Sequence, residues 1–548
     1  MRRFFLAGCL VAAASVVLLV GSAAAQAGAA DGVLLPTTHV AHDALTAIAE
    51  QNDGSLTSGS PQVNGVPICS TSSTTSSNVN TDCEGTAPHN ETSVAVNPTN
   101  PLNVIEGAND YQLTLNGSFV VETILSRAHV SFDGGVTWTT YPLDSTSYSG
   151  TGDPAVAFDA SGRAYYATLG FVFGQGSPTI TNADILVAHS SDGGKSWSTV
   201  RVAAGTGSLG SVGTFNDKEY IAAWGNGNAI VTWTDFRDGI GGSYGGSPIM
   251  DSVTHDGGKT WSAPQLISGS APFCIGFNGG TTCDQDQDSY PVVAADGTIH
   301  VVFDTVRETT TFRDQYVEIQ VDPTTGARIA GPFKVGDFFD GITDQPVSGF
   351  GDPTLHDSQF RTFSFGNLSA DPTNASHLAA VWTDMRDSQL PAPTDPYQAD
   401  TNSDVNVAQS FDGGRTWSST VTLRIPNDQF QASGAYGTDG LLRIGFYDRS
   451  YNIANDSYGY TVATETRWGS LHFALAQLNT ALSNPTKNDR WFSRTTFNSA
   501  FPHPSSFLGD YTNLGLGGTT ASWTDMRNNV CFPSRCGAGE DAYFSSIH

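Results

Sequence analysis

One eight-residue phrase, Ser-x-Asp-Gly-Gly-x-Thr/Ser-Trp, stands intact at Ser131 to Trp138, Ser190 to Trp197 and Ser410 to Trp417. It returns at Thr254 to Trp261 with only its first residue changed. The phrase reads as the tip of a β-hairpin. Asp-Gly-Gly supplies the positive φ angles of a tight turn, and the aspartate can accept hydrogen bonds from nearby backbone amides. The tryptophan that follows is an apolar wedge for the edge of the sheet. Repetition on this scale means that one supersecondary unit is reused along the chain.

A second phrase marks the same unit from inside. Trp233-Thr234-Asp235-Phe236-Arg237 recurs as Trp382-Thr383-Asp384-Met385-Arg386 and Trp523-Thr524-Asp525-Met526-Arg527. Degenerate copies are Phe303-Asp304-Thr305-Val306-Arg307 and Phe446-Tyr447-Asp448-Arg449. An apolar stretch lies upstream of each. The unit is therefore strand, turn, strand ending in the second phrase, loop, strand, Asp-Gly-Gly turn, strand, which is one four-stranded blade. Units start near Glu91, Asp153, Asp217, Asp288, Phe365, Phe430 and Asp510. The expected fold is all-β, a β-propeller of seven four-stranded blades, or six if one irregular unit merges with a neighbour. The last unit lacks the turn phrase and has room for about three strands, so a strand from the N-terminal region is expected to complete it and close the ring. The composition agrees: the 548 residues include 59 glycines and 26 prolines, and only 14% are charged, which suits many short strands and turns.

The turn phrase is the Asp box, and on it the chain resembles the Asp-box (BNR-repeat) sialidase-like propellers over residues 90 to 548. The resemblance implies that the boxes are structural turns on the blades' periphery, away from the catalytic face. It also implies that arginines can clamp a substrate carboxylate, as sialidases do with an arginine triad. Five near-equivalent arginines in the second phrase, however, read as structural ion pairs, since Asp and Arg two apart on a strand share a face. Sialidases carry a Phe/Tyr-Arg-Ile/Leu-Pro motif before the first box, and this chain has none there. Leu423-Arg424-Ile425-Pro426 follows the fourth box and reads as an outer strand.

The chain's beginning reads as an export signal. Arg2 and Arg3 precede an apolar run from Phe4 to about Val20, and Ala23 and Ala25 fit a cleavage site before Gln26. Arg2-Arg3-Phe4-Phe5-Leu6 resembles a twin-arginine signal in part, so the export route stays open. Residues 1–25 are thus expected to be removed, residues 26–88 to form an arm and Ser/Thr-rich linker, and residues 89–548 to form the propeller. Three local cysteine couples, Cys69 with Cys83, Cys274 with Cys283 and Cys531 with Cys536, suggest three short-loop disulfides in an oxidising compartment. The expected protein is secreted, monomeric and without a membrane anchor.

Charge narrows the function. The net charge of −28 disfavours nucleic acid, and no nucleotide loop, G-x-S-x-G or H-E-x-x-H supports phosphoryl transfer, acyl transfer or zinc proteolysis. Acidic residues begin several units: Glu91, Asp153, Asp217, Asp288 and Asp510. Innermost strands of a propeller surround its axis, so these starts are expected to converge at the mouth of an acid-lined channel. There they can serve as general acid and base for glycoside cleavage or hold a cation such as Ca²⁺. The candidate catalytic residues are Asp153, Asp217, Asp510 and Tyr511, with Glu219, Tyr220 and Tyr290 nearby; no metal ligand set is assigned. Asp284, Asp286 and Asp288 alternate as in a calcium loop but lack its glycine and glutamate. The first reading is an exported glycoside hydrolase, sialidase-like, acting on extracellular glycans or glycoproteins. The alternative is a non-catalytic propeller that binds a glycan or protein.

Overall fold

The computed structural model describes residues 78–82, 89–116, 119–145, 147–173, 180–206, 213–238, 244–311, 313–340, 344–346, 353–356, 358, 360–389, 400–450, 458–483, 508–515, 517–531 and 536–547. The export signal, most of the arm and Cys69 with Cys83 lie outside them. The described strands form seven antiparallel sheets of four strands each. The protein is a seven-bladed propeller, as the unit count predicts.

Six blades are built from consecutive strands, with innermost members His89–Val96, Gly150–Phe158, Gly213–Trp224, Asp286–Val293, Gly366–Ala370 and Gln429–Tyr436. The seventh is composite. Asn513–Leu514, Thr520–Cys531 and Cys536–Ser546 supply its inner three strands, and Val79–Asn80 pairs as its outermost strand with Tyr543 and Phe544. Joining the two ends of the chain in one sheet removes the open edges that three strands would leave. It also explains the missing turn phrase: where the other blades have a hairpin between third and outermost strand, this blade has the ring closure.

Adjacent blades share an apolar core, because each sheet is covered on both faces by its neighbours. The tryptophan of the second phrase is the wedge. Trp382 packs on Tyr316 and Phe338 of blade 4, and Trp523 stacks on Tyr460 of blade 6 with centroids 4.9 Å apart. Both are buried, and each indole N–H donates to the aspartate two residues on, Asp384 at 3.0 Å and Asp525 at 2.9 Å. Arg386 closes the same unit with a two-point ion pair to Asp384 and a hydrogen bond to the Asp337 carbonyl of the preceding blade. Arg237 makes a single bond to its own aspartate, Nε to Asp235 Oδ2 at 3.0 Å. Both arginines are engaged by the aspartate two residues before them.

At the rim, the turn phrase has one geometry in all four copies. In the first, Ser131 Oγ donates to Asp133 and accepts from the Gly135 amide, both at 2.8 Å. Asp133 accepts from the Thr137 amide and hydroxyl, and Trp138 Nε1 donates to the Gly135 carbonyl. Thr254 replaces the serine in the changed copy and makes the same bonds to Asp256 and Gly258. Glycine is needed at position 135 for two reasons: its φ is 93°, and a Cβ there would lie 2.1 Å from the ring of Phe544. The four tip aspartates, Asp133, Asp192, Asp256 and Asp412, are exposed.

Cys274 and Cys283 form a disulfide. Cys531 and Cys536 face each other in register at the end of a hairpin. Val421–Leu423 is the outermost strand of blade 5, and the following Arg424 is 71% exposed and paired with Asp387, so Leu423-Arg424-Ile425-Pro426 belongs to the rim.

Candidate functional site

The site begins with a backbone irregularity. The innermost strands of blades 1, 2, 3, 4 and 6 each break register once, and at each break one non-glycine residue adopts a left-handed conformation: Glu91 (φ 54°), Asp153 (58°), Lys218 (52°), Asp288 (53°) and Gln431 (51°). Such a bulge re-aims the side chain, and φ > 0 costs a non-glycine residue on the order of 1–3 kcal/mol. In blade 7 the left-handed residue is Gly509, followed by Asp510.

These breaks bring charge from several blades to one place. Lys218 Nζ contacts Asp510 and lies 3.8 Å from both Glu91 and Asp153. Arg361, from the segment entering blade 5, holds Asp510 by two bonds, Nε to Oδ1 at 2.9 Å and NH2 to Oδ2 at 2.6 Å. The Asp510 amide donates to Glu91 at 3.1 Å. Asn109 bridges blades 1 and 2, donating to Glu91 at 2.8 Å and accepting from the Asp153 amide at 2.9 Å. Asp217, Glu219 and Asp288 complete the electrostatic group. Asp288 is half-buried; the other five carboxylates, Lys218 and Arg361 are at most 4% exposed.

Six carboxylates therefore share two cations in a desolvated layer, and their proton affinities separate. Burial, with Asp153 next, pushes Glu91 up to about 8. Burial raises Asp153 to about 7 against the pull of Lys218, and raises Asp217 to about 6. Burial and the neighbouring Asp153 hold Glu219 well above the usual range. Asp510 goes the other way: burial pushes it up, but Arg361 and Lys218 outweigh that and keep it ionised below its ordinary value. Lys218 is held well above its usual value because Asp510, Glu91, Asp153 and Asp217 outweigh its own burial cost. The cluster thus holds carboxyl groups poised on either side of neutrality beside one fixed carboxylate.

Three tyrosines adjoin the charged group. Tyr220 sits 4.6 Å from Tyr290 and 5.4 Å from Tyr511 between ring centroids. Tyr511 Oη donates to the Pro154 carbonyl at 3.2 Å, linking blade 7 to blade 2. Burial holds the Tyr511 phenol well above its usual range, so it is a neutral donor. Tyr220 and Tyr290 also line the axial cavity, about 160 Å³, whose remaining wall comes from all seven innermost strands and is mostly small or apolar, including Val94, Ala157 and Leu368. The sequence predicts an acid-lined channel. The wall of this cavity carries none of the six carboxylates.

Of the residues singled out in the sequence, Glu91, Asp153, Asp217, Asp288 and Asp510 come together, with Glu219 and Tyr511 beside them. Asp284 and Asp286 do not: Asp284 accepts from the Phe277 amide, and Asp286 is buried in its strand. Among the described residues no group of three or more His, Cys, Asp or Glu is arranged to hold a metal ion. Lys218 and Arg361 are absent from the sequence-derived set. Lys218 had a signal in the repeat spacing: it stands fifteen residues before Trp233, as Asp288 does before Phe303 and Gln431 before Phe446. Choosing Asp217 as the start of blade 3 follows residue type and misses that register by one. Arg361 lies in a stretch without repeats and had no such signal.

No family model matches the sequence, and no curated protein matches it. Solved structures similar to it include a Hadza microbial sialidase, at 12% identity over 82% of this chain and 74% of that one, with a TM-score of 0.40. Another is the NanB sialidase from Streptococcus pneumoniae, at 9% identity over 89% and 98%, TM-score 0.40. A third is an α-L-arabinofuranosidase of Fusarium graminearum, at 12% identity over 67% and 90%, TM-score 0.39. Likeness at this level assigns no activity to the chain.

Proposed function

We propose that the protein is an exported glycoside hydrolase whose chemistry takes place in the charged layer at the end of the propeller axis. The observation that carries this reading is the convergence of Glu91, Asp153 and Asp510 on Lys218 Nζ, with Asp217 in the same desolvated group and burial raising Asp153 to about 7 and Asp217 to about 6. Near neutral pH one is available as a proton donor and the other as a base, which glycoside cleavage requires. Asp153 gives its proton to the glycosidic oxygen as the bond to the anomeric carbon breaks, and the electron pair leaves with the aglycone. Asp217 takes a proton from water as the water oxygen bonds to that carbon. Exchange with solvent returns both groups to their starting states. Asp510 stays ionised and fixes Lys218 and Arg361, while Tyr511 donates a hydrogen bond. The Cys274–Cys283 disulfide supports an oxidising, extracellular setting, and an extracellular glycan is the natural partner for a monomeric enzyme of this kind.

The test is hydrolysis of a panel of fluorogenic glycosides, with and without EDTA. Turnover reduced about 100-fold or more by Asp153→Asn and by Asp217→Asn is the expected result. The pH profile should be bell-shaped, falling above about 7 as Asp153 loses its proton and below about 6 as Asp217 gains one. Turnover insensitive to both substitutions would remove the charged layer from the chemistry.

The second reading, a non-catalytic propeller that binds a glycan or protein, is favoured by one observation: Glu91, Asp217 and Glu219 are each only 1% exposed. Glycan-array binding without turnover on any glycoside would select it.

A further inference from the structure

Resting on the glycoside reading of the same site, we infer that the charged layer takes an uncharged, hydroxyl-rich sugar and excludes sugars that carry a carboxylate. Two independent features point there. The first is what has already filled the cation pair. Lys218 and Arg361 are the cations whose charge reaches Glu91 and Asp288, and both are engaged by Asp510. Arg361 grips it with the two-point fork that a guanidinium offers to any carboxylate. Asp510 thus occupies, from within the chain, the place that the carboxylate of an acidic sugar would need. Such a ligand would meet the fixed charge of Asp510 and the ionised Asp217 with both cations already engaged.

The second feature is what the layer leaves unsatisfied. Glu219 is 1% exposed, and among the described residues no side chain donates to its carboxyl oxygens, which lie near only its own backbone amide. Its electrostatic neighbours are Asp153, Asp217 and Lys218, which places it in the charged layer. Asp217 leaves Oδ2 buried and unpartnered in the same way. Held protonated, Glu219 is both donor and acceptor, and a sugar hydroxyl, itself donor and acceptor, is the partner that suits it and the donor that Asp217 Oδ2 lacks. A carboxylate offers acceptors alone and leaves Asp217 without a donor.

The experiment uses the purified chain with 4-methylumbelliferyl glycosides of neutral pentoses and hexoses, the corresponding sialoside and glucuronide, and a glycan array carrying neutral and acidic glycans. The expected result is turnover on at least one neutral glycoside, with both acidic ones slower by about 100-fold or more, on the scale of an uncompensated buried charge. Asp510→Asn, which releases Arg361 and Lys218, should narrow that gap about tenfold. If that variant does not fold, Glu219→Gln serves as the second arm and should raise KM for the neutral glycoside about tenfold. Faster cleavage of the sialoside or glucuronide than of every neutral glycoside overturns the substrate class and leaves the hydrolase reading standing. Silence on all glycosides overturns the hydrolase reading, and the array then decides alone: neutral glycans bound sustain the ligand class, whereas acidic glycans bound, or none, overturn it.

Discussion

Blades 1, 2 and 3 carry carboxylates at both rim and axis, under opposite physics. At the rim, the turn aspartates are exposed and surrounded by donors. Burial lifts Asp256 slightly, yet the amide and hydroxyl of Thr260 and the hydroxyl of Thr254 bring it down to about 2. At the axis, Glu91 is enclosed among other acids and rises to about 8. Both ends also use left-handed backbone, but the rim places glycine there, as at Gly134 and Gly135, while the axis places Glu91, Asp153, Lys218, Asp288 and Gln431. The rim relieves strain and satisfies every tip aspartate, as a structural turn should. The axis keeps strained residues and starved carboxyl groups together, the pattern that marks a site of chemistry or binding.

The largest test of that contrast is Lys218→Met. It leaves Glu91, Asp153 and Asp510 facing one another without the ammonium and should cost about 3–5 kcal/mol at pH 7 in denaturant unfolding. A cost under about 1 kcal/mol, the scale of a surface pair, would equate the axis with the rim.

The second test is pH. Glu91 ionises near its ordinary 4.5 when unfolded but near 8 when folded. Its protonated form is therefore favoured by folding, and that contribution is whole below 4.5 and lost as pH rises toward 8. The effect should amount to a few kcal/mol, and Glu91→Gln should flatten the unfolding free energy across this window. Asp256 has the opposite sign: its contribution is present above 3.8 and lost as pH falls toward 2. Asp256→Asn should therefore alter only the acid limb.

Smaller effects belong to the rim. Gly135→Ala drives a methyl group into Phe544 and should cost about 1–3 kcal/mol by thermal unfolding. Asp133→Ala removes the acceptor that organises one turn and should cost about 1 kcal/mol, leaving glycoside turnover unchanged. Loss of turnover in Asp133→Ala would show that the rim communicates with the axis.

The repeats made the propeller legible because turn chemistry is local: Asp-Gly-Gly forms its hairpin from residues within eight positions, and the second phrase places its tryptophan and aspartate two apart on one strand. The seventh blade was legible as a deficit, three strands where four are needed. Its completion by Val79–Asn80 is a pairing between distant ends of the chain that the deficit foreshadowed. The axial acids were legible as a recurring residue type at the start of five of the seven units. Their charge state was not, because it depends on which cations converge with them. Lys218 comes from the same strand as Asp217, turned to the axis by a one-residue bulge, and Arg361 comes from a segment outside any repeat. By itself, the sequence determined the blade and its rim turn and favoured seven units over six, since these rest on interactions between near neighbours. Only the tertiary structure decided that Asp510 is locked to two cations while Glu91, Asp153 and Asp217 share what charge remains, since burial and Coulomb forces act between blades that the chain order keeps far apart.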